Sequence, residues 1–549
     1  MQYACIGKIQ KSKFFSSDYF VFFAFLILAF VVFSNVINGP FTFDDESLVV
    51  NNLDVHSLSN VWSFFTSDPR AGSLLPGVNM YRPLSTLVYA IIYHFFGLNV
   101  VAYHFFNIFI HVINGFIVYR LFTLLDCKKW CSVFFTLFFL IHPVQAESVS
   151  YISGQPDVLS SFFVLFPLFL FAHAQWFCRS FLRNTLIVGV LFISGMLVKE
   201  SGVIFPALAA LILIYKWKSL TATERKQYLY ALLFFSLLAC CYLFLRFTVL
   251  VFSDGSLAQD SIYESSLYIR LVTSAHYFLD YIRLVFFPLH LAIDKSFEGQ
   301  TVLTFRAIIG VAIVFEMLFL MCKSFFNKKV LFFGFGVFFA ALAPVSGIMP
   351  VNAPYMEHWL YIPLVGLLFI PAFFFSHWSL FISQPFAKWR NIMMISLLIL
   401  LIVCGARLYV RNADWADPVA FYENEIALNP KAARSYNNLA TFYFRNDEFE
   451  KAEEYYLVSA HLRPDATRYY NLGNFYATFG DLEKSIVYFF HSLENNPSFI
   501  YSYIGMLHLL EGMADEEIIH IIKNNIILLQ EGHQLGLEEV SFLKSILLP

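Results

Sequence analysis

The stretch GPFTFDDESLVVNN, residues 39–52, sets Asp44, Asp45 and Glu46 side by side directly after an apolar run of about twenty residues. Adjacent carboxylates repel one another, so something must hold them or use them. Four further stretches place charge between apolar segments: MYRPLS with Arg82, IHPVQAESVSYISGQPD with His142, Glu147 and Asp157, LVKESG with Lys199 and Glu200, and PYMEHWLYIP with Glu357 and His358. Charge at the mouth of a membrane is costly unless paired, which makes each of these a functional candidate. Carboxylates beside cations in such a place suit one chemistry. A carboxylate removes the proton of an incoming hydroxyl, while Arg, Lys or His stabilises charge growing on a departing phosphate. The donor expected for it is a sugar carried on a polyprenyl phosphate, whose lipid half needs a site open to the bilayer.

On this reading Asp44 or Asp45 is the base, with the choice open, and Arg82, His142 and Lys199 hold the phosphate. Glu147, Glu200 or Glu357 orients the sugar, with Glu46, Asp157 and His358 completing the lining. Each residue also has a plainer role. Asp44 and Asp45 could cap a span, Arg82 could anchor to lipid headgroups, and His142 could bond carbonyls freed at a span end. Lys199 and Glu200 could pair with each other, Arg407 and Arg411 could anchor the last span, and Asn51 and Asn52 read as turn residues.

These groups need elements to position them. Of 549 residues, 58% are hydrophobic, 14% are charged, 67 are Phe, and the net charge is −3. A soluble domain averages about 45–50% apolar and about 25% charged residues. The sequence is that of a membrane protein with many spans, and its charge offers nothing to nucleic acid. The first apolar run, Tyr19 to Ile37, lacks a convincing small-residue cleavage site and is expected to remain as a span. Counted from 18–38, eleven segments are expected, the others near 101–125, 130–142, 157–177, 184–198, 203–217, 228–252, 304–322, 330–349, 358–376 and 391–410. With the N-terminus inside, sixteen Lys and Arg fall on cytoplasmic stretches and six outside before residue 411, the asymmetry that sets orientation. Two more apolar segments, 84–97 and 268–292, are placed on or dipping into the outer face. Counting one of them alone as a span would export Lys323, Lys328 and Lys329.

All eight cysteines lie in spans or cytoplasmic stretches, so the exported parts have no disulfide framework. Cys127 and Cys131 have no His or second Cys pair nearby in sequence to complete a metal site.

Composition changes near residue 411, which divides the chain into a membrane domain, 1–410, and a domain outside the cytoplasm, 411–549. The second contains a repeat. YNNLATFYFRNDEFEKAEEYYLVSAHLRP, Tyr436 to Pro464, aligns with YYNLGNFYATFGDLEKSIVYFFHSLENNP, Tyr469 to Pro497, at a spacing of 33 residues. Aromatic, small and Pro positions fall where a tetratricopeptide helical pair needs them. A half-unit ending at Pro430 precedes the pair, a degenerate unit starts near Tyr503, and ADEEIIHIIKNNIILLQEG is expected to cap the stack.

The order FDDE after the first span, then YRPL, HPVQAE, KES, EHWLYIP and RNADW leading into the repeats, resembles the transmembrane-and-tetratricopeptide protein O-mannosyltransferases. These belong with the wider protein O-mannosyltransferases in the GT-C class of membrane glycosyltransferases. The resemblance covers essentially the whole chain. It implies an all-α GT-C fold of about eleven transmembrane helices followed by a short tetratricopeptide solenoid. It also implies a polyprenyl-phosphate sugar donor, a catalytic acid in the first outer loop, an acceptor Ser or Thr of an exported polypeptide engaged through the repeats, and inversion at the sugar. The acidic pair of that loop falls on Asp44 and Asp45. Two clear repeats are fewer than in the animal proteins, so a bacterial relative at the inner membrane is expected, with the sugar and the acceptor open. No cofactor is expected, although Glu46 as a third acid keeps a divalent metal in view.

Three other functions compete. A glycan ligase or polymerase using lipid-diphosphate donors would place its Arg and His in a large late outer loop, whereas here the acids come first. A membrane-anchored repeat scaffold would tolerate loss of Asp44 and Asp45. A transporter would put its charges at mid-membrane. The orientation has a direct check. Alkaline phosphatase fused after residue 416 should be active and a fusion within 216–226 inactive; the opposite pattern overturns the assignment.

Overall fold

A computed structural model of the chain describes residues 6–73, 80–251, 266–289, 291, 303–327, 329–346, 355–377, 387–511, 516–530 and 533–547. Cys5, Lys295 and Lys328 lie outside the described residues, as do parts of the 268–292 segment and of the expected tail cap. The chain packs as two units that divide at Asp417–Pro418. The change of composition near 411 falls inside the last membrane-length helix, which runs from Ala387 to Ala416.

In the first unit every one of the eleven expected segments is helical. Among the described residues eight helices are long and apolar enough to cross a membrane: Val100–Leu124, Ile152–Ala172, Phe181–Val198, Glu200–Ser219, Ala222–Thr248, Phe305–Phe325, Glu357–Ser376 and Ile392–Ala416. A ninth is bent by 52° between Lys129–Ile141 and Pro143–Val149. The break is dictated by His142–Pro143, because a proline pushes the residue before it out of the helical region, and His142 sits at φ −68°, ψ 131°. The first and ninth segments of the sequence appear as shorter apolar helices, Asp18–Val32 and Lys329–Val345. Helices of this apolarity and number make the chain an integral membrane protein. The two segments set aside are also helical, Pro83–Phe96 and Leu267–Phe286, and neither is among the membrane-length helices.

Buried polar groups fix how these helices meet. Asp18 on the first helix, itself buried, accepts from Tyr119 Oη at 2.7 Å, Arg120 Nη1 at 3.1 Å and Lys129 Nζ at 2.9 Å. Tyr361 bonds His111 Nδ1 at 2.7 Å and accepts from Asn114 at 3.0 Å, joining the start of one span to the middle of another. Where Lys329–Leu342 crosses Tyr361–Ser376, a Cβ on Gly366 would meet the carbonyl of Gly334 and the Val337 side chain. Small residues let membrane helices approach this closely.

The second unit begins with a single helix, Pro418–Leu428, and continues as helical pairs: Ala433–Arg445 with Phe449–Leu462, Ala466–Thr478 with Leu482–Asn495, and Ile500–Leu510 with Glu516–Gln530. The repeat is visible in its bonds. Ser459 donates to Ala433 O at 2.6 Å and Ser492 to Ala466 O at 2.8 Å, and the turns hold Asp447 and Gly480 at φ +60° and +71°. The segment expected as a cap instead pairs with Ile500–Leu510. A further helix, Leu537–Leu547, packs on Leu482–Asn495, with Lys544 bonded to Glu494. Thr441, Phe444, Arg445, Tyr456, Asn471, Asn474 and Phe475 line a depression of about 230 Å³ between the first two pairs. Gly366→Val should destabilise the membrane unit by about 1–3 kcal/mol through overpacking against backbone. The readout is the thermal midpoint of the purified protein, and an unchanged midpoint would refute the close crossing.

Candidate active site

The chain leaves its first helix, presses Gly39 against the backbone at Trp415 and Ala416, and turns at Phe43, which adopts φ +53°. A bulky residue in the left-handed region is uncommon and strained. The turn sends the three acids to three different partners. Asp45 is 1% exposed; its Oδ2 accepts from Thr42 N at 2.8 Å, and its Oδ1 accepts from Ser153 N at 2.8 Å and from the Ser153 hydroxyl. Burial pushes its carboxyl up to about 8, the Ser153 and Thr42 bonds pulling the other way. Asp44 keeps 38% of its side chain exposed and pairs with Arg70 at 2.8 Å, while its amide donates to Tyr151 Oη at 2.9 Å. Glu46 accepts from Asn51 at 3.2 Å.

The loop that receives them, residues 142–157, is braced from three sides. Asn107 donates to the carbonyls of Tyr151 and Ile152 at 3.0 and 3.2 Å, and Ser85 donates to Gln155 at 2.6 Å. From the RNADW segment, Asn412 accepts from Ser150 at 2.7 Å and donates to Val32 O at 3.0 Å, and Trp415 stacks on Tyr151 with centroids 5.0 Å apart. Any side chain at Gly154 would strike the carbonyls of Glu147 and Ser148.

Beyond the acids the charges alternate. Glu147 accepts from the His358 amide and pairs with its Nδ1, both at 2.8 Å; His358 Nε2 lies 4.0 Å from Asp157, which pairs with Lys199 at 2.6 Å. Next along the chain Glu200 meets Arg82 at 3.4 Å and Arg246 at 3.6 Å. Lys199 and Glu200 thus have separate partners rather than each other. The two groups meet around buried Tyr89, which feels the charges of Asp45, Arg82 and Asp157.

The other candidates lie differently. His142 is buried between backbone groups: its Nδ1 accepts from Val144 N at 3.3 Å and its Nε2 bonds Val285 O at 3.1 Å. That is the role of a helix-end histidine and leaves no nitrogen aimed at a phosphate. Glu357 is fully buried, within the field of Tyr281, Tyr355 and Arg407. Arg411, expected as a lipid anchor, is 1% exposed and pairs with Asp414 at 3.1 Å, and Asn52 is buried and donates to Pro69 O. Sequence reading passed over Arg70, Tyr151, Ser153, Asn412 and Trp415. It also missed Arg246, although an arginine inside an apolar membrane-length segment is a signal in itself. Among the described residues no group of three His, Cys, Asp or Glu side chains converges to hold a metal ion.

Membrane-length helices followed by paired repeats define a membrane protein with a tetratricopeptide domain, and the tetratricopeptide-repeat family model matches residues 433–464 and 466–499. The resemblance read from the motifs reappears in curated relatives. The chain is 23% identical to the protein O-mannosyl-transferase F38B6.6 of Caenorhabditis elegans, over 80% of this chain and 62% of that protein. It is 22% identical to human protein O-mannosyl-transferase TMTC3, over 77% of this chain and 49% of that protein, and 22% identical to human TMTC4, over 75% and 62%. The chain therefore spans about half to three fifths of the length of these relatives. A crystal structure of ArnT from Cupriavidus metallidurans bound to undecaprenyl phosphate overlays with a TM-score of 0.41 at 11% identity, covering 95% of this chain and 87% of that one; so distant a likeness carries no argument.

The Asp45 bracket predicts a pH dependence. Between 3.8 and about 8 the folded chain holds a proton on Asp45 that the unfolded chain gives up, so stability falls as pH rises across that window. The thermal midpoint of the wild type should decline from about pH 4 to about pH 8 and level off above, and Asp45→Asn should flatten that decline. Parallel curves for the two proteins would refute the assignment.

Proposed function

We propose that the chain is a GT-C membrane glycosyltransferase that moves mannose, or a similar hexose, from a polyprenyl-phosphate donor to a Ser or Thr hydroxyl of an exported polypeptide, inverting the sugar. The observation that carries the reading is that Asp44, part-exposed and paired with Arg70, lies in the loop that Asp45 seats on the 142–157 segment, whose Glu147 and Asp157 belong to the ion pairs with His358 and Lys199. The similarity to proteins named O-mannosyl-transferases supports mannose as the sugar. The repeats, with the depression between their first two pairs, suit the polypeptide acceptor, and the Lys and Arg asymmetry of the sequence supports a place for them outside the cytoplasm.

Asp44 is the base and Asp45 the bracket that holds its loop. Asp44 has exposed carboxylate surface for an incoming hydroxyl, and Arg70 orients it. The hydroxyl gives its proton to Asp44 as its oxygen forms the new bond to the anomeric carbon. The bond from that carbon to the phosphate oxygen breaks on the opposite face, and its electron pair leaves with the lipid phosphate. Arg82 and Lys199, fixed by Glu200 and Asp157, stabilise that charge where water is scarce and their field is strong. Glu147 and His358 are the polar groups that suit the sugar hydroxyls. No step calls on a metal, since Asp44, Asp45 and Glu46 each have separate partners.

The test is transfer of radiolabelled sugar from a polyprenyl-phosphate pool into protein in membranes. Asp44→Asn should lose about 10²–10⁴-fold in rate with normal membrane insertion, the range of a lost general base, and a chelator should leave the wild type unaffected. Full activity in Asp44→Asn would overturn the catalytic assignment, and no transfer by the wild type with any donor would favour the scaffold.

A further inference from the structure

Arg82 and Arg246 come from distant parts of the chain, one opening the Pro83–Phe96 helix and the other in the last turn of Ala222–Thr248. Both reach a single carboxylate. Arg82 Nε is 3.4 Å from Glu200 Oε2, and Arg246 Nε is 3.6 Å from Oε1, which also accepts from the Tyr81 amide at 3.3 Å. Arg246 is held from behind: its Nη1 donates to Leu250 O at 2.8 Å, and Tyr242 lies within the field of all three charges while donating to Met196 O. The arginine side chain is 9% exposed and the Glu200 side chain 31%. Arg246 forms the buried wall, Arg82 is 21% exposed, and solvent reaches the carboxylate. Two forked donors converging from different helices fit the several oxygens of a phosphate better than the two of a carboxylate.

Resting on the reaction proposed above, we propose that Glu200 is a resident stand-in for the lipid phosphate, filling the Arg82–Arg246 fork between turnovers and giving way to it on binding. A sugar phosphodiester carries one negative charge, as Glu200 does, so the exchange preserves the local balance. When the bond to the sugar breaks, the electron pair stays on the phosphate oxygen and the hydroxyl proton goes to Asp44. The polyprenyl monophosphate left behind carries up to two negative charges and would hold the fork tightly. The returning carboxylate competes with it, so Glu200 aids product release, and Arg246 is a direct phosphate contact.

The experiment measures binding of a polyprenyl monophosphate to the full chain in nanodiscs, with inorganic phosphate as a second ligand. Glu200→Gln should bind the lipid about three- to tenfold tighter, the scale of a lost competing ion pair, and Arg246→Gln about tenfold or more weaker. Unchanged or weaker lipid binding by Glu200→Gln overturns the stand-in role. An equal gain for inorganic phosphate overturns the assignment of the fork to the lipid. If Glu200→Gln does not assemble, Arg246→Lys keeps the charge and removes the fork: lost lipid affinity supports the proposal, and unchanged affinity overturns it. A wild type that transfers no sugar while Glu200→Gln still gains lipid affinity supports the fork and overturns the reaction. A wild type that binds no lipid phosphate overturns both.

Discussion

A carboxylate shut away from water must be met by donors from its own fold, and the charged end of the membrane unit is organised around one such group. Asp45 has almost no exposed surface, and its two oxygens draw together Thr42, three residues before it, and Ser153, a hundred and eight residues on. That bracket seats the first loop on the second. Once seated, Asp44 meets Tyr151 and Arg70, Tyr151 meets Trp415, and the loop's other end runs into the span that carries Asp157. The repulsion built into three successive acids is relieved by dividing them among separate partners.

The same rule governs the charges beyond the bracket. Glu147, His358, Asp157 and Lys199 form an alternating row, and Arg82, Glu200 and Arg246 a second. Alternation gives each carboxylate a partner where isolated charge would be prohibitively costly, and it orients side chains that would otherwise sample many rotamers. A row built this way is already polarised before any substrate arrives, which is the condition for electrostatic stabilisation without reorganisation.

How far the sequence could be read followed the range of each signal. Apolar length and the 33-residue repeat are local patterns, and the eleven segments and the helical pairs of the repeats follow from them. The clustering of Arg82, Glu147, Asp157, Lys199, Glu200 and His358 was legible because each sits at a span end among apolar neighbours. Partner choice was not. Nothing in the order KES says that Lys199 turns to Asp157 and Glu200 to two arginines, since those partners lie 42, 118 and 46 residues away. His142 looked like a cation for phosphate because it stands at a span end with the other charged groups. The proline after it breaks the helix, and the imidazole takes two backbone partners, the plainer of the two roles expected for it. Arg246 was legible, one guanidinium in an apolar run, and was passed over, whereas Ser153 and Asn412 are residue types that reveal a role only when a buried acid or hydroxyl faces them.

The bracing of the acid loop is complete at Trp415, three residues before Pro418 opens the repeat unit. Among the described residues, the partners named above for the acid loop and the charged rows all precede that point. On the proposed reaction, the groups assigned to bond making and the repeats assigned to the acceptor therefore belong to different units of the fold, so a change in the number of repeats alters what is engaged without touching a residue assigned to the chemistry.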